Sequence, residues 1–101
     1  MINNLSVEDL RSMMKNGSEF TLIDVREPWE HEAFNLGGIL IPLNEITQRF
    51  SEIPFDKPIV FYCRKGIRSV IAIQKIAHKL PNGLDVYNLS GGAEAWQYSS
   101  H

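Results

Sequence analysis

The chain has 101 residues, with ten Lys+Arg against twelve Asp+Glu, three histidines and a single cysteine. At this length folding buries roughly 65% of the surface of an extended chain, which predicts one modest core and one domain over residues 1–101; 44% hydrophobic and 22% charged residues exclude the disordered, collagenous and disulfide-rich classes. A formal charge of −2 makes nucleic acid and membrane surfaces poor default partners, and one cysteine with scattered His31, His78 and His101 excludes an internal disulfide, a Cys-x-x-Cys pair and a structural zinc site.

The start, Met1-Ile2-Asn3-Asn4-Leu5, has no basic segment leading into a long apolar run, and no stretch approaches the ~20 apolar residues of a membrane span. A cytoplasmic protein with a reduced thiol and no metal site is therefore expected. Ser6-Val7-Glu8-Asp9 forms a capping box that predicts a helix from Val7. Leu5 and Leu10 take the staple positions, Met13 and Met14 continue the face, and Gly17 supplies the stop. Phe20 to Val25 is short, apolar and β-branched, a predicted strand.

Pro28 opens a short helix, because its missing donor costs nothing in the first turn. Within it Glu30 and Glu32 flank His31, a pattern that reads as a solvated face. Asn35 to Gly38 ends that segment, and Ile39-Leu40-Ile41 is a further apolar run closed by Pro42. Leu43, Ile46 and Phe50 mark the face of a predicted helix, and residues 54–58 form a surface connection.

Ile59-Val60-Phe61-Tyr62 is apolar at every position, as expected of a central parallel strand covered on both faces. After Cys63-Arg64-Lys65-Gly66-Ile67-Arg68-Ser69 comes a helix with Ile73, Ile76, Ala77 and Leu80 on one face. Pro81-Asn82-Gly83 stops it, Leu84 to Leu89 reads as a strand, and Ser90-Gly91-Gly92 turns into a last helix with Ala95 and Trp96. Lys75, His78 and Lys79 carry positive charge along a helix, and His101 is terminal and expected to be mobile. Strands alternating with helices predict an α/β fold with a mainly parallel sheet and helices on both faces. Ligands of such sheets bind beyond the carboxyl ends of the strands, where Cys63 lies.

A lone cysteine after an apolar strand is, on base rates, an inert buried side chain. Against that reading, Arg64, Lys65 and Arg68 place three cations in the five residues that follow it. Neighbouring cations and a helix N-terminus both favour thiolate over thiol. At on the order of 1 kcal/mol each they would lower the thiol pKa from its reference near ~8.5 enough to give substantial thiolate at neutral pH. Gly66 permits a tight turn with inward amides, and the amides ahead of the Ser69 helix add donors, so the loop forms an anion-binding nest around the sulfur.

On these residues the chain resembles a single-domain rhodanese of the sulfurtransferase family. Leu22-Ile23-Asp24-Val25-Arg26-Glu27 is similar to the family's first signature, and Ile59 to Ser69 to its strand and active-site loop. Val86-Tyr87-Asn88-Leu89-Ser90-Gly91-Gly92 with Ala95-Trp96 is similar to its closing signature. The resemblance implies a rhodanese-like three-layer α/β fold with a five-stranded sheet. It also implies a Cys63 thiolate that takes a sulfane sulfur from a donor such as thiosulfate and passes it from a persulfide to a thiophilic acceptor, cyanide or a thiol, without a metal or organic cofactor.

In that scheme Cys63 is the nucleophile, the amides of Arg64, Lys65, Gly66, Ile67 and Arg68 cradle the persulfide, and the Arg64 and Lys65 side chains meet the donor's anionic end. Arg68 either raises the local potential or braces the loop against an acidic residue such as Asp24 or Glu27, the second being favoured. Asp24, Arg26 and Ser69 are candidates for the pocket border, with a structural ion pair an equal explanation of Asp24 and Arg26. Trp96, Gly91 and Gly92 are assigned to packing and turns. The segment Phe34-Asn35-Leu36-Gly37-Gly38 departs from the family's Gly-His-Ile-Pro-Gly-Ala and is one residue shorter, which leaves that loop's geometry open.

Two other functions compete. A cysteine phosphatase on the same fold uses a loop resembling Cys-x-x-x-x-x-Arg, whereas Cys63 and Arg68 enclose only four residues, and no acid lies in the loop to protonate a leaving oxygen. A non-catalytic binding or regulatory module is the other, since folds outlive activities; intact Cys63 and its cations weigh against it. Partners are a small anionic donor, an external acceptor because no second thiol resolves a persulfide within the chain, and a protein partner if the sulfur enters a relay.

Overall fold

A computed structural model describes residues 2–99. Met1 and His101, on which the sequence reading also commented, lie outside the described residues. The elements are β1 (Asn3–Leu5), α1 (Val7–Lys15), β2 (Thr21–Asp24), α2 (Pro28–Ala33), β3 (Ile39–Leu40), β4 (Ile59–Tyr62), α3 (Arg68–Ile76), β5 (Val86–Leu89) and α4 (Gly92–Tyr98). Short 3-10 turns cover Leu43–Glu45, Phe50–Glu52 and Ala77–Lys79. The sheet has the order β1-β5-β4-β2-β3, and every pairing is parallel. Parallel neighbours require crossovers, and the helices provide them. No helix among the described residues is long and apolar enough to cross a membrane.

The alternation of side chains along β4 divides the core. Ile59, Phe61 and Cys63 point to one face and join Ile23, Val25, Ile41, Ile46, Ala72, Ile73 and Ile76, under α3 and the 3-10 turns. Val60 and Tyr62 point to the other and join Leu5, Val7, Leu10, Leu22, Leu89 and Ala93, under α1 and α4. Cys63 thus inherits its direction from the strand: it continues the 59, 61, 63 series onto the face where α3 begins.

Two local expectations are corrected. The helix predicted from Leu43, Ile46 and Phe50 is instead a pair of 3-10 turns separated by residues 46–49, and at Arg49 the backbone (φ −103, ψ 18) leaves the helical region. The apolar spacing is satisfied without a helix because Ile46 and Ile53 still reach the core. The first strand, β1, was not predicted: Asn3 and Asn4 give it no apolar pattern, and it exists through its register with Tyr87, Asn88 and Leu89. The capping at Ser6 is as expected in one half, with the Ser6 hydroxyl accepting from the Asp9 amide at 3.0 Å.

Candidate active site

β4 ends at Tyr62, and the next five residues, 63–67, lead the chain into α3. Cys63 is 2% exposed and free, yet it lines a cavity of about 330 Å³ with Arg64, Lys65, Ile67 and Arg68. The Gly66 amide donates to Sγ at 3.1 Å, and the Ser69 hydroxyl lies 3.4 Å from it. Burial alone would push the thiol pKa up. The Ser69 hydroxyl and the backbone amides of Ser69, Gly66 and Lys65 outweigh it, so the thiol sits below its ordinary value.

The amides face the sulfur because the carbonyls are engaged elsewhere. Cys63 O accepts from the Ala93 amide at 2.9 Å, and Arg64 O accepts from the Glu94 amide at 2.9 Å. Two of the free donors at the N-terminus of α4 are thereby satisfied, and the peptide planes of the loop are fixed with their N–H groups inward. Gly92 makes this approach possible: a Cβ there would stand 2.4 Å from Cys63 O and 2.5 Å from Arg64 O. Its assignment to packing is right in kind, but what it packs against is the thiol loop itself.

The three loop cations have different fates. Arg68 forms a fork on Glu30, with Nη1 and Nη2 donating at 2.7 and 2.9 Å. It braces the loop, as favoured from the sequence, but its partner is Glu30 rather than Asp24 or Glu27. Glu30 is correspondingly buried, not part of a solvated face, and Arg68 holds its pKa down to about 2. Arg64 is exposed and makes a long contact with Glu94 at 3.3 Å. Lys65 is exposed and has no ion-pair partner among the described residues. The leading groups that lower the thiol pKa are therefore amides and a hydroxyl, where the sequence had emphasised the side-chain cations.

Asp24 and Arg26 form the structural ion pair that was one of their two readings. Both are buried. Arg26 Nε and Nη2 donate to Asp24 Oδ1 and Oδ2 at 2.9 and 2.8 Å, and Nη2 also donates to Phe34 O at 2.7 Å. His31 Nδ1 lies 2.8 Å from Asp24 Oδ2, so this histidine too serves the cluster rather than solvent. Burial would raise the Asp24 pKa, but the bonds from Arg26 and His31 overcome it and hold the carboxyl below the usual range. Arg26 also lines a second cavity of about 390 Å³, with Trp29, Glu30, Phe34, Arg64 and Gln97; Arg64 belongs to both cavities.

The unusual segment at 34–38 is pinned by Tyr62, whose hydroxyl accepts from the Leu36 amide and donates to Gly37 O, both at 3.1 Å. Gly38 (φ +90) lies so close to Leu22 that a Cβ would meet its carbonyl oxygen at 2.4 Å. Glu30 and His31, assigned from the sequence to a solvated face, belong to the site, as do Asn88 and Asn4, to which the sequence reading assigned no role. Only Asn88 carried a signal, as an amide inside an otherwise apolar strand. It accepts from Ser69 Oγ through Oδ1 and donates through Nδ2 to Asn4 Oδ1 at 3.1 Å.

A thiol of lowered pKa, ringed by inward amides and opening into a cavity with a free ammonium at its rim, can act as a nucleophile on a small anion. Comparison with known proteins agrees with this geometry. The family model for the rhodanese-like domain matches residues 6–99. The uncharacterized protein YqhL of Bacillus subtilis is 39% identical over 98 residues, which span 95% of this chain and 73% of that protein. A protein of Allochromatium vinosum named a sulfurtransferase is 35% identical over 98 residues, covering 95% and 89%. The rhodanese-related protein of Thermoplasma volcanium superposes with a TM-score of 0.80 at 27% identity, over 94% of this chain and 90% of that one. The chain belongs to the rhodanese-like domain family.

Proposed function

We propose that this protein is a sulfurtransferase that accepts a sulfane sulfur from a small anionic donor, thiosulfate being the representative case, and delivers it to an external thiophile. The observation that carries the reading is the buried Cys63 Sγ with the Gly66 amide at 3.1 Å and the amides of Lys65 and Ser69 turned toward it. The thiolate attacks the outer sulfur of thiosulfate, a new S–S bond forms, the old one breaks, and sulfite leaves with its electron pair. The persulfide then carries its negative charge on the outer sulfur, against the amides of residues 64–68. Cyanide or a thiolate attacks that sulfur, and the electron pair of the breaking bond returns to Cys63.

Lys65 is positioned to attract the donor, since its charge is not consumed by a neighbour. The placement of Arg68 on Glu30 supports sulfur transfer over phosphate-ester hydrolysis, which would use an arginine aimed into the loop. The lone cysteine makes the acceptor external, and a reduced thiol fits a cytoplasmic setting. Ile67 and Trp29, 67% and 70% exposed at the two cavities, support an acceptor as large as a protein partner in a sulfur relay.

Incubation with thiosulfate followed by intact mass measurement tests the reading. A gain of one sulfur atom is expected for the wild type and none for Cys63→Ser, with thiocyanate production from cyanide lost in parallel. No sulfur uptake from any sulfane donor, together with hydrolysis of an aryl phosphate, would transfer the assignment to a phosphatase; neither activity would make it a binding module.

A further inference from the structure

Behind Ser69 lies a pair of side-chain amides, Asn88 and Asn4, that does not touch the sulfur. We propose that Asn88 is a positioning residue that decides which acceptor the Ser69 hydroxyl donates to: Asn88 Oδ1 while Cys63 is neutral or persulfidated, and Cys63 Sγ while the sulfur is a thiolate.

A serine hydroxyl has one proton to donate, and Ser69 Oγ has two neighbours that can take it, Sγ at 3.4 Å and Asn88 Oδ1. Ser69 is fully buried and Asn88 is 4% exposed, so the contest is decided between these groups. The orientation of the Asn88 amide is fixed from behind: Nδ2 donates to Asn4 Oδ1 at 3.1 Å, and Asn4 is the register partner of Asn88 across the β1–β5 pair. With its nitrogen committed to Asn4, Asn88 presents only a carbonyl oxygen to Ser69.

When Cys63 carries its proton, the S–H can donate to Ser69 Oγ while the hydroxyl donates to Asn88, and every polar group is satisfied. Ionisation removes the sulfur's donor and creates a stronger acceptor. The hydroxyl then turns to the sulfur and leaves the Asn88 carbonyl unpaired, so Asn88 opposes the thiolate. Once Sγ is bonded to a second sulfur the charge moves outward and the hydroxyl returns to Asn88. This second half rests on the sulfur-transfer reading; the first rests on geometry alone. In the discharge step the hydroxyl turns back as Sγ leaves as thiolate, and Asn88 sets the balance between a free and a loaded enzyme.

The single cysteine makes the test direct, because ultraviolet thiolate absorbance, taken as a difference against Cys63→Ser, reports one group and needs no sulfur donor. Asn88→Ala is expected to move the thiol titration toward acid by about half to one pH unit, the size of one competing hydrogen bond. Ser69→Ala should move it toward alkali, and adding Asn88→Ala to Ser69→Ala should produce no further change. No shift in Asn88→Ala, or an alkaline one, would overturn the proposal, since it would mean that the amide only packs or donates to Ser69. If Asn88→Ala does not fold, the near-isosteric Asn88→Asp replaces it. A carboxylate holds the hydroxyl more firmly, so an alkaline shift is expected that is smaller in the Ser69→Ala background; equal shifts in both backgrounds would overturn the proposal. A protein that shows these shifts yet takes up no sulfur retains the positioning role of Asn88 and loses the return step, so the two readings fail separately.

Discussion

Two neighbouring regions at the carboxyl ends of the strands use polar groups in opposite ways. In the cluster at the end of β2, Asp24, Arg26 and His31 are joined by hydrogen bonds of 2.8–2.9 Å, and Glu30 is closed off by Arg68. Every full charge there has a partner, and the result is a rigid wall. Around Cys63 the groups are neutral amides and a hydroxyl, and they face a single sulfur. Charge builds the frame, while oriented backbone dipoles hold the reactive atom. The reason is economy of desolvation: a buried ion needs its counterion in place, whereas a row of N–H groups can be left waiting for a transient anion at modest cost.

The comparison is broken most severely by disturbing the docking that orients the amides. Gly92→Ala adds a Cβ at 2.4 Å from Cys63 O at φ +60. Left-handed strain and overpacking together should cost about 2–4 kcal/mol, read as a lower urea midpoint, and sulfur uptake should fall by at least tenfold. Retention of wild-type uptake would show that the loop does not need α4.

Cutting the frame should do less. Arg68→Ala leaves Glu30 unpaired in a nearly buried site and should cost about 1–3 kcal/mol. The pH dependence sharpens this. Because Glu30 falls from an ordinary 4.5 to about 2 in the folded protein, its contribution is complete above pH 4.5 and is lost as pH falls through the folded value. Urea midpoints compared between neutral and acid pH should show that loss in the wild type and a smaller one in Arg68→Ala; parallel curves would mean that the pair does not stabilise the fold.

The smallest effect is expected at the rim. Lys65→Ala should leave stability within about 0.5 kcal/mol and raise the Michaelis constant for thiosulfate about three- to tenfold, with the difference shrinking as salt is added. An unchanged constant would remove Lys65 from donor attraction.

How far the sequence led follows the same division. β4 was legible to the residue because four consecutive apolar side chains admit few other readings. The bounds of α1 followed from Ser6 and Gly17, and α2 from Pro28. The thiol loop could be read because its residues are contiguous. The frame could not: Arg68 and Glu30 are 38 positions apart, and nothing local to either names the other. Glu30-His31-Glu32 looks solvated in sequence, and only the placement of α2 against the loop turns Glu30 inward. β1 and the Asn4–Asn88 pair stayed hidden for a related reason, since a strand of two asparagines and a leucine is defined wholly by its partner.

The bonds from Ala93 and Glu94 to the loop carbonyls also bear on the order in which the molecule assembles. Both donors lie 30 positions beyond the carbonyls they hold, so the loop is completed only when α4 has docked. Until then the peptide planes after Cys63 are free to turn and the sulfur has no assembled cradle. A partly folded chain therefore carries an ordinary cysteine, and the cradle that favours the thiolate comes with the docking of α4.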